Sequence, residues 1–427
     1  MNFSLSYVIY NFIITILFLI ISPVYLLKVL FINKYRETWQ DRLGIFPAFS
    51  AEIVNNIIWI HAASAGEVKI ACVLIDSLKF SENTQLLVTT STHSGLKIAR
   101  TKLGERARVH MLPFDLLCFI GPAVKRINPG LTIIIEADIW PNFIKFAARN
   151  GDLLMVNAWY KHKMIKNVAK VSNLLPEVMK YFNKITVQTE YDRQQFKHII
   201  NDDKIKVTGN IKYDQVGNNV KNYAKRADLK IAEEERLIIA GSTHENEEEI
   251  ILKVYKKLKG SIENLLILIA PRHIERSDQI LKICRKMNLD AVKKTVLMKR
   301  DKREEDVIIL DTMGELAEFY SLGILTFIGG TLIEQGGHNI LEALSSGNPV
   351  IFGPHYYNFR DIFEMAMKKN VGYKITTEKE LLTSMKTLLF DNKKLSKING
   401  RAREFIENNK GALNKNIIII KSYLVKS

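Results

Sequence analysis

Cysteine is scarce in this chain: three in 427 residues, Cys72, Cys118 and Cys284, with no CxxC pair. The spacing offers no disulfide framework and is that of three small core residues in a reducing compartment. Other absences narrow the chemistry. There is no GxxxxGKS/T phosphate loop, no HExxH helix and no GxSxG turn, so P-loop hydrolysis, zinc proteolysis and the hydrolase elbow are not indicated. A DxD pair of carboxylates is missing as well, and metal chemistry is therefore not expected. No internal repeat or low-complexity segment appears.

Charge is missing from the first 27 residues. Segment 7–27 is long enough to span a bilayer as a helix. The basic residues Lys28, Lys34, Arg36 and Arg42 follow it, which is unlike a cleaved signal peptide and places the bulk of the chain on the cytoplasmic side. The alternative is a helix buried in a core or lying against the membrane without crossing it. Over the whole chain positive charge is in excess: net +16, with a pI near 9.4. That excess points to an anionic partner, whether nucleic acid, an acidic membrane or a phosphorylated substrate. With 47% hydrophobic residues, two domains can each build a core.

Apolar strand candidates alternate with helices at 57–61, 86–90, 108–112, 131–136, 153–157 and 185–188. A second series follows at 237–240, 265–270, 307–310, 324–328 and 349–352. Such alternation predicts α/β architecture with parallel sheets. The polar stretch 210–232 reads as an interdomain linker, with the boundary near residue 215. Residues 392–423 read as helix with a lysine-rich solvated side rather than a nucleic-acid patch.

Ligands of open parallel sheets bind outside the carboxyl ends of the strands, which selects a few polar residues. Glu67, in a first helical turn, is a candidate general base or a dipole-matching residue. Glu136 and Asp138 end one strand; Glu136 suits proton handling or a structural role equally, and Asp138 reads as a helix N-cap. Lys212 could reach an anionic group or be solvated. Arg272 presents a planar fork suited to phosphate. Between two hydrophobic runs, Gly329, Gly330, Gly336 and Gly337 form a flexible loop leading to a helix expected over 338–346. Its N-terminus would favour a phosphate, with Glu342 one turn on from His338.

Seven ordered motifs then carry a resemblance over nearly the whole chain. His61-Ala-Ala-Ser-Ala-Gly-Glu67, Glu136-Ala-Asp-Ile-Trp-Pro-Asn142, Gly209-Asn-Ile-Lys-Tyr-Asp214, Gly241-Ser-Thr-His-Glu245, Ala270-Pro-Arg-His273, Gly314-Glu-Leu316 and Gly336-Gly-His-Asn-Ile-Leu-Glu342 resemble the 3-deoxy-D-manno-octulosonic acid (Kdo) transferases. The resemblance implies a GT-B type fold, two Rossmann-like domains facing across a cleft with an N-terminal membrane-anchor helix. The divisions expected are 1–30 for the anchor, 31–215 for an acceptor-binding domain and 216–427 for a CMP-sugar-binding domain. It further implies an inverting enzyme that moves Kdo from CMP-Kdo to a lipid A precursor, lipid IVA, without a metal or other cofactor.

By motif position, Glu67 would be the proton acceptor, and Glu136 and Lys212 the transition-state stabilisers. Pro271, Arg272, Met313, Gly314, Glu315, Asn339, Ile340, Leu341 and Glu342 would hold the CMP of the donor. The expected setting is the cytoplasmic side of the cell inner membrane, with a single-pass anchor against an anionic lipid surface and no nucleic acid. A GT-B transferase of another nucleotide sugar is the alternative. Ala63, Ala65 and the run Ala137-Asp138-Ile139 depart from the family's usual residues and bear on the acceptor pocket.

Overall fold

A computed structural model describes residues 4–47, 57–81, 83–136, 138–160, 173–216 and 224–424. The chain forms two units, Met1–Asp214 together with Lys410–Ser427, and Gln215–Asn409. Each is built on one parallel sheet of seven strands. The first contains β1 (Ile57–His61), β2 (Gln85–Thr90), β3 (Arg108–Met111), β4 (Leu131–Ile135), β5 (Asp152–Ala158), β6 (Lys184–Val187) and β7 (Ile205–Val207), in the order β3-β2-β1-β4-β5-β6-β7. The second contains β8 (Arg236–Thr243), β9 (Leu265–Pro271), β10 (Ala291–Lys293), β11 (Val307–Ile309), β12 (Gly323–Ile328), β13 (Val350–Phe352) and β14 (Gly372–Lys374), in the order β10-β11-β9-β8-β12-β13-β14. Strands such as Ile-Ile-Trp-Ile-His and Leu-Leu-Ile-Leu-Ile-Ala-Pro are buried along their whole length, because helices cover both faces of a parallel sheet.

The helices that position functional residues are α1 (Leu5–Phe31), α2 (Ala65–Leu78), α3 (Leu117–Ile127), α4 (Pro141–Asn150), α5 (Glu247–Lys259), α6 (Leu341–Ser345), α7 (Asn392–Glu407) and α8 (Ala412–Leu424). Every strand expected from sequence is present. Among the described residues the three it did not indicate, β7, β10 and β14, are three-residue strands at sheet edges, each with a lysine that interrupts or ends its apolar run. Of the cysteines, Cys72 and Cys284 are buried as expected, whereas Cys118 is exposed in the first turn of α3.

The C-terminal segment differs from its sequence reading. The expected helix over 392–423 is broken between Glu407 and Ala412, where Gly411 at φ +96° turns the chain just before α8 starts. Residues 410–424 then pack with the first unit. Asn416, fully buried, donates to Thr208 Oγ1 at 3.1 Å and accepts from Thr186 at 2.6 Å. Asp214 accepts from the backbone N–H groups of Gly411 and Leu413. Residues 217–223 of the expected linker lie outside the described residues.

Helix α1 exposes most of its apolar side chains, including Phe12, Ile16, Leu19, Ile20 and Phe31. One stripe is different. Tyr7, Asn11, Phe18 and Tyr25 recur at helical spacing and touch the rest of the first unit: Tyr7 donates to Asn142, Asn11 accepts from Asn142, and Phe18 and Tyr25 pack on Phe114, tilted and edge-on, with centroids 5.4 and 5.2 Å away. The hydroxyls of Thr15 and Ser22 return to carbonyls of their own helix, so the exposed side needs no water for them.

Candidate active site

Two neighbouring strands, β1 and β4, deliver the first unit's candidate carboxylates from their carboxyl ends. Beyond β1, Ser64 caps α2 by accepting from Glu67 N. Glu67 returns the contact: Oε2 accepts from Ala63 N at 2.7 Å and Oε1 from Ser64 Oγ at 3.1 Å. Of the two roles considered for Glu67, these contacts show the one at the helix start: the carboxylate completes the first turn and is held in one orientation.

Beyond β4, Glu136 sits at φ +60°, a left-handed conformation that a residue with a Cβ adopts at a cost of about 1 kcal/mol. Its side chain is buried between two donors. Lys212 Nζ lies 2.9 Å from Oε1, and Trp159 Nε1 donates to Oε2 at 2.9 Å. Lys212 is thus paired rather than solvated. It reaches Glu136 because Asn157, at the end of β5 with φ +61°, accepts from Ile211 N at 2.9 Å, and Asn210 accepts from Lys212 N. Trp159 and Asn157 were not singled out from sequence. An asparagine closing an apolar strand, where it tolerates positive φ, was the available signal.

Asp138 does not cap a helix. Trp140 occupies the N-cap of α4 and its side chain makes no capping bond. Asp138 Oδ2 instead lies 2.9 Å from His61 Nε2 and accepts from Trp140 Nε1 at 2.8 Å. The capping carboxylate comes from the loop after β3: Asp115 accepts from Asn142 N and Phe143 N at 2.9 and 2.7 Å. Burial pushes the Asp115 carboxyl up to about 7, against those N–H donors and the Tyr10 hydroxyl, which favour its charged form.

In the second unit β11, β9, β8 and β12 are adjacent, so the segments after their carboxyl ends share one rim. Met313, Gly314 and Glu315 follow β11; Pro271 closes β9 and Arg272 follows it; His244 follows β8; the 329–342 loop follows β12. Arg272 N donates to Thr243 O at 2.9 Å, while its side chain is exposed. Met313 is also exposed, and Glu315 is held by Lys294 and Thr312, which draw its carboxyl below its ordinary value against partial burial.

The helix expected over 338–346 is shorter. Gly336 and Gly337, at φ +84° and +76°, keep the chain out of helix, and Asn339 Oδ1 accepts from Leu341 N. Helix α6 covers only Leu341–Ser345. His338 is therefore outside the helix, and the expected dipole at its position does not apply. Instead, His338 Nε2 lies 2.9 Å from His244 Nε2. Burial lowers both imidazoles, His338 to about 4, so the pair is neutral with one shared N–H.

Glu247, hidden in sequence among the acidic first-turn residues of α5, anchors the loop. Fully buried, it accepts from the N–H groups of Gly330, Thr331 and Leu332 at 2.7, 3.0 and 2.9 Å. Among the described residues no group of His, Cys, Asp and Glu has the arrangement of a metal site.

The family model described as 3-deoxy-D-manno-octulosonic-acid transferase (kdotransferase) matches residues 37–215. The 3-deoxy-D-manno-octulosonic acid transferase of Rickettsia typhi is 35% identical over 379 residues, 87% of this chain and 80% of that protein. That of Haemophilus influenzae is 30% identical over 400 residues, 92% and 93% of the two chains. Among solved structures, a UDP-N-acetylglucosamine 2-epimerase homologue from Listeria monocytogenes superposes with a TM-score of 0.57 at 16% identity, covering 88% of this chain and 98% of that one. This likeness concerns the fold alone, two Rossmann-like units of the GT-B class. With relatives 30–35% identical over most of its length, this chain belongs to the Kdo transferase family, a family of glycosyltransferases.

Proposed function

We propose that the protein transfers Kdo from CMP-Kdo to a lipid A precursor, lipid IVA, with inversion at the anomeric carbon. The observation that carries the reading is the fixed orientation of Glu67 by Ala63 N and Ser64 Oγ, one strand away from the Glu136–Lys212 pair. An acceptor hydroxyl attacks the anomeric carbon and gives its proton to Glu67, while the bond to the CMP phosphate breaks and CMP leaves with the electron pair. Glu136 and Lys212 stabilise charge that develops on the sugar. Pro271, Arg272, Met313, Gly314, Glu315, Asn339, Ile340, Leu341 and Glu342 hold the CMP, with Arg272 taking the charge on the departing phosphate. This scheme assigns no step to a metal.

The setting proposed is the inner leaflet of the inner membrane, but with α1 in the membrane plane rather than across it. Tyr7 and Tyr25 both contact the first unit. They lie about 27 Å apart along the helix, close to the hydrocarbon thickness of about 30 Å. A crossing helix would have to release one of them, whereas an in-plane helix keeps both and buries its apolar side in lipid.

Glu67→Gln tests the reaction: transfer falls by at least about 100-fold while CMP binding persists. Loss of CMP binding with no separate loss of chemistry would contradict the assignment of Glu67.

A further inference from the structure

Three side-chain hydrogen bonds of α1 near its start converge on Asp115 and Asn142. Tyr10 donates to Asp115 Oδ2 at 2.7 Å, Tyr7 donates to Asn142 Oδ1, and Asn142 Nδ2 donates to Asn11 Oδ1 at 2.8 Å. Asn142 is fully buried, and Tyr7 and Asp115 nearly so. Apolar packing alone would hold a membrane-facing helix without specifying its register. A buried polar network fits at one register only, since a one-turn slip leaves each of these groups without its partner.

The same two residues hold the start of α4. Asp115 accepts from Asn142 N and Phe143 N, and its carbonyl accepts from Asn142 Nδ2. Immediately before α4 comes the strand-end segment with Glu136, Asp138 and Trp140, where Asp138 is tied to His61 and Trp140. One set of bonds therefore runs from α1 to the α4 N-terminus, and the chain just before that N-terminus bears Glu136. Asp115 touches neither the Glu136–Lys212 pair nor Glu67 in this set; it acts through the α4 N-terminus.

We infer that Asp115 and Asn142 are positioning residues that make the placement of Glu136 depend on the seating of α1. With α1 seated, the α4 N-terminus is held in one register, and with it Asp138, Trp140 and the strand end at Glu136. With its hydroxyl partners gone, α4 loses part of its fixing and Glu136 its defined position. A transferase whose acceptor resides in the membrane then works best with its membrane helix in place. The inference rests on Glu136 acting in the transition state and on α1 facing lipid.

The test is steady-state transfer by the full chain in vesicles, comparing Tyr10→Phe, Asp115→Asn, the two combined, and Glu136→Gln. Tyr10→Phe removes one hydroxyl and keeps the ring, so folding and flotation should persist. The expected result for Tyr10→Phe and for Asp115→Asn is a kcat lowered about tenfold, with KM for both substrates within about twofold. The combined variant should be no worse than the poorer single one, because both changes cut the same connection. A purely structural role would lower the melting temperature and leave kcat alone; unchanged kcat in both single variants, or losses that multiply in the combined one, would overturn the coupling. If Glu136→Gln keeps full kcat, the reading of Glu136 fails and the inference with it. If Glu136→Gln is impaired and the others are not, only the inference fails.

Discussion

Lys212 Nζ lies 2.9 Å from Glu136 Oε1, joining a residue beyond β7 to one at the end of β4. Between these strands lie β5 and β6, and Asn157 on β5 carries the connection by holding Ile211 N. Removing one partner leaves the other without its opposite charge in a largely buried setting. Lys212→Met should lower the unfolding free energy by about 3 kcal/mol and abolish transfer. Adding Glu136→Gln should restore part of the stability and none of the activity. Denaturant unfolding alongside a transfer assay checks both; recovered activity in the double variant would show that the pair is only structural.

The carboxylate of Glu247 organises the 330–332 backbone, and Gly330 O in turn accepts from Gly337 N, next to His338. Glu247→Gln turns an all-acceptor group into one that presents an NH2 to backbone N–H groups. We expect a loss of about 2 kcal/mol in stability and a CMP Kd raised about tenfold. Calorimetric titration with CMP measures the second; unchanged affinity would dissociate the loop from the donor site.

Acid should weaken the second unit through the His244–His338 pair. Both imidazoles titrate below their ordinary value near 6.5 in the folded chain, His338 at about 4, so the unfolded chain binds more protons between those values. Stability from this source is complete above about pH 6.5 and is lost as pH falls toward 4. Urea midpoints at pH 7 and pH 5 should diverge more for the wild type than for His338→Gln. Equal divergence would show that the pair does not titrate in this way.

For α1, replacing the exposed Ile16 and Ile20 by lysine should abolish flotation with vesicles. A thiol at Ser4→Cys should react with an impermeant maleimide from the cytoplasmic face only. Labelling only from the opposite face would establish a crossing helix and reject the in-plane placement.

The legibility of the chain follows physical range. The apolar strands and the Gly-rich loop were readable because their signals are local, and the apolar run 131–135 carried Glu136 to its strand end. Long-range contacts were not. Asp115 caps a helix 26 positions further on, which made Asp138, the nearer carboxylate, look like the cap. Glu247 resembled its neighbours Glu248 and Glu249 until the 330–332 backbone was seen upon it. Helix α6 starts late because two glycines at positive φ and the Asn339 cap together overrode the apolar periodicity. The register of α1 on the first unit depended on Asp115 and Asn142, more than a hundred residues away.

Mass spectrometry of the lipid product from purified protein, CMP-Kdo and lipid IVA tests the central claim most directly. The account predicts an acceptor mass increased by whole Kdo residues, blocked by excess CMP and not by UDP, and absent with Glu67→Gln. An unchanged acceptor mass with the wild-type enzyme, or a sugar taken from another nucleotide donor in preference, would contradict it.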